Sequence, residues 1–265
     1  AGAVIIPASY NEKPVTKIDS RAFANCTAIT MVIFPDTITS IGDFAFMDCS
    51  SLTAVYLNLS DIASLGEGAF KKCSKLISIS LSRTSITTLK EFTFAECNAL
   101  ASVELPDTLT TIEGYAFYHN KGLASLDLSK TGITSIGSSA FYHCFALTSV
   151  LLPKTLNSIG DSAFYLCTAL SSIDFSKTSL KSIGINSFYQ CTALTSIVLP
   201  KTLTSIGMNA FRNCYYIATV TFLGSAPEMG AYVFYQTGLG LGNGRTFIIT
   251  IYEGHEASYA SWREL

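Results

Sequence analysis

The sequence predicts an α/β repeat solenoid: stacked coils of 23 or 24 residues, with short parallel strands on one side and short helical or 3₁₀ turns on the other. Three observations predict it. An aliphatic anchor recurs at Ile18, Ile41, Leu65, Leu89, Ile112, Ile136, Ile159, Ile183 and Ile206, in steps of 23 or 24 residues. Five residues after each anchor stands a phenylalanine, from Phe23, Phe46 and Phe70 through Phe94, Phe117, Phe141, Phe164 and Phe188 to Phe211. Three residues further on, all eight cysteines fill one column (Cys26, Cys49, Cys73, Cys97, Cys144, Cys167, Cys191, Cys214), and Asn120 holds the remaining place. A fixed period of this length marks a repeat architecture, whose units bury their apolar stripes only against neighbours.

Each element of a coil follows from local pattern. After the Cys column come an aliphatic residue and an alternating stretch, as in Leu194-Thr195-Ser196-Ile197-Val198-Leu199, which reads as a strand with one face buried. The turn after the strand sets coil length. Leu105-Pro106, Leu152-Pro153 and Leu199-Pro200 give 23 residues, whereas Leu81-Ser82-Arg83-Thr84, Leu128-Ser129-Lys130-Thr131 and Phe175-Ser176-Lys177-Thr178 give 24. Proline, with fixed φ and no N–H, stops a ladder and tightens the corner. From the fourth coil to the eighth the two lengths alternate, which suggests duplication of a two-coil unit of 47 residues. The stretch Gly160-Asp161-Ser162-Ala163-Phe164-Tyr165-Leu166-Cys167 is too short for a long helix and is expected to make one helical or 3₁₀ turn. Stacked about 4.8 Å apart, the coils form one parallel sheet of about nine to ten strands on the order of 43 Å long. Residues 1–17 read as a lead-in strand and partial cap, 18–222 as nine repeats and 223–265 as a C-terminal cap, one domain in all.

Composition narrows the functional classes. The 265 residues are 49% hydrophobic, ample for a core, and only 14% charged, well under the roughly 25% of an average soluble protein. A net charge of −2 gives no reason to expect nucleic acid or an anionic membrane as partner. Mean hydropathy is +0.38, yet no apolar run approaches the roughly 18 residues needed to span a bilayer, so no direct membrane insertion is expected. The chain opens on Ala1-Gly2-Ala3-Val4 without an initiator Met or charged leader, so any secretion signal is expected to have been removed or never present in this chain.

The pattern Leu194-x-x-Ile197-x-Leu199-Pro200-x-x-Leu203-x-x-Ile206-Gly207-x-x-Ala210-Phe211-x-x-Cys214 resembles the BspA-like leucine-rich repeats. The likeness spans about Ile18 to Phe222; Val4-Ile5-Ile6-Pro7 with Lys13 to Ile18 resembles the usual lead-in, and Ile248 to Tyr252 with Tyr259 to Trp262 the C-terminal cap. The resemblance implies a right-handed superhelix, and a secreted or surface-displayed protein of bacteria or certain protists, sometimes linked to adhesion. Departures are Asn120 in the Cys column, where such repeats accept Asn, and Asp19 and Lys90 where Gly otherwise follows the anchor.

Candidate sites come from the columns. Cysteines on neighbouring parallel coils have Cβ atoms about 4.8 Å apart, against the roughly 3.8 Å of a disulfide, so eight free, buried thiols acting as small hydrophobes are expected. A single-file ladder offers too few converging ligands for a metal, and no metal or other cofactor is expected. His119 and His143 share a column and read as exposed surface residues; His255 falls in the cap. The outward strand row runs Ile33, Tyr56, Ser80, Glu104, Asp127, Leu151, Asp174, Val198 and Thr221, beside small residues such as Ser102, Ser125 and Ser149. Glu104 and Asp127 would lie at the separation of a glycosidase carboxylate pair, but no His or Lys in the row completes a catalytic set, and no enzyme is expected.

Tyr118, Tyr142, Tyr165 and Tyr189 fill one column on successive coils, interrupted by Arg212 and resumed at Tyr235. The rings either pack along the coil exterior or form a recognition surface, for which tyrosine suits by its area and polar tip. These four, with Tyr56, Glu104, Asp127 and Asp174 of the strand row, are the candidate ligand-binding residues. Arg83, Lys130, Lys154, Lys177 and Lys201 make a basic edge, though Asp36 and Asp107 take that place in other coils; it is read first as a solubility feature and otherwise as a site for an anionic partner. Gly238 to Gly244 reads as a flexible cap loop rather than a phosphate loop, since no helix or Lys-Ser/Thr pair follows. Asn25-Cys26-Thr27 and Asn58-Leu59-Ser60 fit the glycosylation sequon. The expected function is non-catalytic binding of an extracellular protein or glycan by a monomeric surface protein; the alternative is a spacer that holds another module away from the surface.

Overall fold

The computed structural model of the chain describes residues 2–57, 62–241, 247–252, 254, 255 and 258. Asn58-Leu59-Ser60, Gly242 to Gly244 and Tyr259 to Trp262 lie outside them.

The repeat builds a parallel-strand solenoid of the expected period, but with two ladders of strands rather than one sheet. On the side of the alternating stretch, Gly2–Ile5, Ile29–Phe34, Ala54–Leu57, Ser78–Ser80 and Ser102–Glu104 hydrogen-bond in that order. Two three-stranded strips continue it, Ser125–Asp127 to Ser172–Ile173 and Ser196–Leu199 to Ile248–Ile251. The second ladder is made by the anchors themselves, two residues per coil. Seven of these strands run in one sheet from Thr88–Leu89 to Glu228–Met229, in a register that sets Ile112 against Ile136 and Ile136 against Ile159. Flanking serines face outward and anchors inward, so this corner has the period-2 burial of a strand.

The expected helical turns are absent from the described coils, and the 3₁₀ turn at Leu239–Leu241 lies inside the loop read as flexible. Each coil instead crosses from anchor to cysteine through tandem β-turns with two left-handed residues four apart. Examples are Phe44 (φ 55) and Asp48 (φ 58), Tyr115 (φ 58) and His119 (φ 57), and Asn186 (φ 55) and Gln190 (φ 56). A helix would direct every N–H back along its own turn. The left-handed residues instead aim three N–H groups per coil at the next one: Phe44 N–H donates to Glu67 C=O (2.7 Å), Phe46 to Ala69 (2.8 Å) and Asp48 to Lys71 (2.9 Å). The same triplet recurs from Arg21 through Asn213. A left-handed non-glycine residue costs roughly 1–2 kcal/mol, and stacking offsets it by satisfying main-chain donors on a side where no strand could form.

Inside, Phe23 through Phe234 form a continuous stack, with successive ring centroids 5.0 to 5.8 Å apart and planes within 22°. All eight cysteines are free; seven are buried and Cys26, on the first coil, is half-buried rather than buried. They are also more than small hydrophobes. Each buried thiol donates to the Phe carbonyl of the preceding coil, as Cys144 Sγ to Phe117 (3.1 Å) and Cys191 Sγ to Phe164 (3.1 Å). Asn120 Nδ2 makes the same bond to Phe94 (2.8 Å), which explains why Asn substitutes there.

The two turn lengths differ in how threonine is used. In long coils it folds back on its own turn, Thr131 Oγ1 to Leu128 C=O at 2.7 Å and Thr178 Oγ1 to Phe175 C=O at 2.8 Å. In short coils it reaches the preceding coil, Thr155 Oγ1 to Ile133 C=O and Thr202 Oγ1 to Leu180 C=O, both 2.8 Å.

At the N-terminal side Gly2–Ile5 lies parallel on Ile29–Phe34, followed by a hairpin of Ser9–Tyr10 and Lys13–Pro14. Asn11 (φ 48) and Glu12 (φ 60) give its turn the doubly left-handed form that matches strand twist. At the other end the repeat geometry persists beyond Phe222. Met229 pairs with Ile206, Phe234 stacks on Phe211, and Thr237 Oγ1 donates to Phe211 C=O at 2.8 Å. Phe247 then tilts over Phe234 at 45°.

Candidate recognition faces

Because successive coils are in register, every column of the repeat becomes a row on the surface. The outward strand row includes Tyr56 (48% exposed) and Leu151 (55% exposed), with Glu104, Asp127 and Asp174 also exposed. Its carboxylates face separate partners. Glu104 Oε2 accepts from Ser80 Oγ at 2.6 Å, while Asp127 and Asp174 each accept a main-chain N–H two residues on, from Ser129 and Ser176, both at 2.8 Å. The side-chain and main-chain hydrogen bonds from Ser129 hold Asp127 below the usual carboxylate range. A lowered Asp127 does not suit the general acid of a glycosidase pair, and the two carboxylates bond to separate partners, so the geometry gives no support to catalysis by Glu104 and Asp127.

The tyrosine column is a stack. Tyr118 to Tyr142 measures 5.3 Å, and Tyr142 to Tyr165 and Tyr165 to Tyr189 each 4.8 Å, the last two planes within 5°. All four are half-buried. Ring faces cover one another, so the surface offered outward consists of edges and hydroxyls. Tyr189 Oη accepts from Asn213 Nδ2 at 3.2 Å. Desolvation, with its tyrosine neighbours, raises the pKa of Tyr165, and desolvation followed by Tyr142 and Glu96 raises that of Tyr118. Arg212, where the column breaks, lies 4.8 Å from the centre of the Tyr235 ring and continues the stack as a cation on an aromatic face.

His119 and His143, expected to be exposed, are half-buried. Their rings lie 4.5 Å apart and tuck against Tyr118 (4.2 Å) and Tyr142 (4.3 Å) respectively, with Phe145 at 5.0 Å from His143. Both occupy left-handed positions, and that conformation folds the ring onto the tyrosine just before it. Desolvation lowers both pKa values; Glu96 opposes this at His119, whereas His119 adds to it at His143. Nε2 of His143 is buried without a hydrogen-bond partner. Among the described residues no group of three His, Cys, Asp or Glu is placed to hold a metal ion.

Sequence reading missed a second aromatic row. Phe44, Phe92, Tyr115 and Tyr232 stand at the first left-handed position of their turns, three residues after the anchor; Phe92 and Tyr115 stack at 5.0 Å and Lys71 sits 4.4 Å from the Phe92 ring centre. That spacing was available as a signal, but Arg21, Gly68, Ser139, Ser162, Asn186 and Asn209 interrupt the column. A third departure also falls in the glycine column, Glu113 beside Asp19 and Lys90. Arg83, Lys130, Lys154, Lys177 and Lys201 all project exposed from the turn edge.

A stack of in-register parallel coils with stacked phenylalanines and a thiol column defines a leucine-rich-repeat protein. Residues 6–124 and 116–240 match the BspA type leucine rich repeat region, and the chain belongs to that family. A comparison of sequence with curated proteins gives no match. Among solved structures, the chain is similar to a leucine-rich repeat protein from Eubacterium ventriosum, at 19% identity and a TM-score of 0.55 over 93% of this chain and 85% of that one. It is also similar to the pneumococcal vaccine antigen PcpA, at 17% identity and a TM-score of 0.55 over 98% and 86%. A leucine rich cell surface protein from Faecalibacterium prausnitzii aligns at 24% identity and a TM-score of 0.46 over 97% and 89%. The first two likenesses show the fold. No helix of the described residues is long and apolar enough to cross a membrane.

Proposed function

We propose that this protein is a non-catalytic recognition protein, secreted or displayed at a cell surface, whose tyrosine face binds a protein or glycan ligand in adhesion. The observation that carries this reading is the stack Tyr118, Tyr142, Tyr165 and Tyr189, four rings held 4.8 to 5.3 Å apart with hydroxyl edges outward. Such a row is already ordered, so a ligand meets large area and regularly spaced hydroxyls with little side-chain entropy left to lose. Membership of the BspA-type family supports a place outside the cell. The acidic strand row with Tyr56, Glu104, Asp127 and Asp174 is the secondary candidate surface. A second reading, a spacer that carries another module, draws on the unbroken phenylalanine stack, which suits a stiff rod.

The test is a binding screen of the purified protein against arrayed extracellular-matrix proteins and glycans, beside a Tyr142→Ser/Tyr165→Ser variant checked for folding by circular dichroism. A ligand bound by the parent and lost at least tenfold by the folded variant establishes the recognition face. Should the variant unfold, Tyr142→Phe/Tyr165→Phe removes the hydroxyls and keeps the stack. Silence from parent and variants defeats the proposal in favour of the spacer.

A further inference from the structure

We propose that Lys130, Lys154, Lys177 and Lys201 form a docking edge for a linear polyanionic glycan, one carrying sulfate or carboxylate groups along its length. This edge is separate from the tyrosine face and does not depend on it.

The four lysines stand on four successive coils, three strand spacings from first to last, or ~15 Å. Each immediately precedes the turn threonine, and each of those threonines is tied to a main-chain carbonyl: Thr131 to Leu128, Thr155 to Ile133, Thr178 to Phe175 and Thr202 to Leu180, at 2.7 to 2.8 Å. Both turn lengths therefore fix the residue that follows each lysine, through different bonds, and the lysines recur once per coil along one edge.

All four are exposed, and none is in an ion pair among the described residues, whose two ion pairs lie elsewhere, at Lys17 with Asp19 and Lys90 with Asp43. A row of like charges one coil apart repels itself and gathers counterions, whose release favours binding of a polyanion. The neighbouring acids are Asp127 and Asp174, on the strands of the two long coils and engaged by Ser129 and Ser176 N–H, and the exposed Asp107, which holds the turn place on the coil before Lys130 and ends the row there. In the two short coils Leu151 and Val198 take those places, so Lys154 and Lys201 stand without an acidic neighbour on their own strand.

Beside the row the surface has two shallow depressions. One, of about 440 Å³, is bounded by Lys177, Lys201, Thr202 and the 60% exposed Tyr252. The other, of about 380 Å³, lies between Lys177 and the serines Ser149, Ser172 and Ser196, with Asp174 and the apolar Leu151 and Val198 also in its lining. Hydroxyls and an aromatic ring beside cations suit a sugar chain with spaced anions. A duplex nucleic acid presents two strands of phosphates flanking a groove, and a single file of cations matches only one of them. A bilayer asks for a plane of cations, and this is a single file.

The test is equilibrium binding of the whole chain to heparin, with desulfated heparin and phosphatidylserine vesicles as parallel probes. At about 0.15 M salt heparin is expected to bind and desulfated heparin at least tenfold more weakly. Lys154→Ser/Lys201→Ser is expected to weaken heparin binding at least tenfold and to flatten log Kd against log salt by ~1.5, from roughly 0.7–0.9 per neutralised anion. Lys71→Ser/Lys72→Ser, the same charge change on the opposite side of the coil, is expected to leave both unchanged. Equal loss in the two variants, no heparin binding at this salt, or vesicles bound in preference to heparin would each overturn the proposal.

Discussion

Replacing Cys144 by alanine and by serine separates two views of the cysteine column. The thiol is fully buried, and its sulfur lies 3.1 Å from the Phe117 carbonyl of the preceding coil. Alanine removes a donor whose net contribution is ~0.5–1.5 kcal/mol and leaves a gap near the size of a methyl group, a further ~1 kcal/mol. The expected total is ~1.5–2.5 kcal/mol. Serine leaves a similar gap but restores an O–H aimed at the same carbonyl, so its cost is expected to be smaller. If the thiol were only a small hydrophobe, serine would be the worse replacement, because a buried hydroxyl without its partner costs ~1–3 kcal/mol. Thr237 already serves this position with a hydroxyl, donating to Phe211 at 2.8 Å. Urea unfolding followed by far-ultraviolet circular dichroism gives both values, compared only where the slopes agree, since coils of a solenoid can unfold separately. A serine variant less stable than alanine by 1 kcal/mol or more would refute the donor role.

Two further outcomes follow from the titrating groups. Burial pushes the Cys49 thiol up to about 11 and those of Cys144 and Cys214 to about 12, so iodoacetamide at neutral pH is expected to label only the half-buried Cys26 in the folded protein and all eight cysteines after denaturation, as read by intact mass; rapid native labelling of Cys144 would contradict this. Burial also holds His119 and His143 below the ordinary 6.5, so as pH falls the unfolded chain takes up protons first, and stability is full above about 6.5 and declines through the window below it. The urea midpoint is expected to drop from pH 7.5 to 5.5, and less so in His119→Gln/His143→Gln; an equal drop in both would remove the histidine pair as its source.

The coil was legible because one residue type per column carries it. A phenylalanine at Phe141 or Phe164 predicts its own burial, and the repeat says what it meets. The turn was not legible, because left-handed backbone is usually signalled by glycine or asparagine, and here Phe44, Tyr115, His143 and Leu166 adopt it. What permits them is the next coil's carbonyls, a partner no local window contains. The same gap hid the histidines. His143 reads as a polar residue on an outer turn, and only its left-handed backbone lays the ring beside Tyr142. For the tyrosines, the column was plain in the sequence; the face-to-face contact that turns their hydroxyls outward required the coil spacing. Glu104 and Asp127 were correctly placed on one row, but adjacency in the repeat said nothing about which hydroxyl or N–H each would take.

The two threonine devices give the array a grammar. In each of these short coils preceded by a long one, the threonine finds its acceptor on that long coil: Thr108 at Ile86, Thr155 at Ile133 and Thr202 at Leu180. Within the alternating stretch from the fourth coil to the eighth, removing one long coil would bring two short coils together and leave such a threonine facing a differently shaped neighbour. Removing or adding a pair leaves every junction of a kind already present. Within that alternating stretch, length is therefore most readily changed in steps of two coils, by copying 47 residues at a time, each new seam identical to an old one.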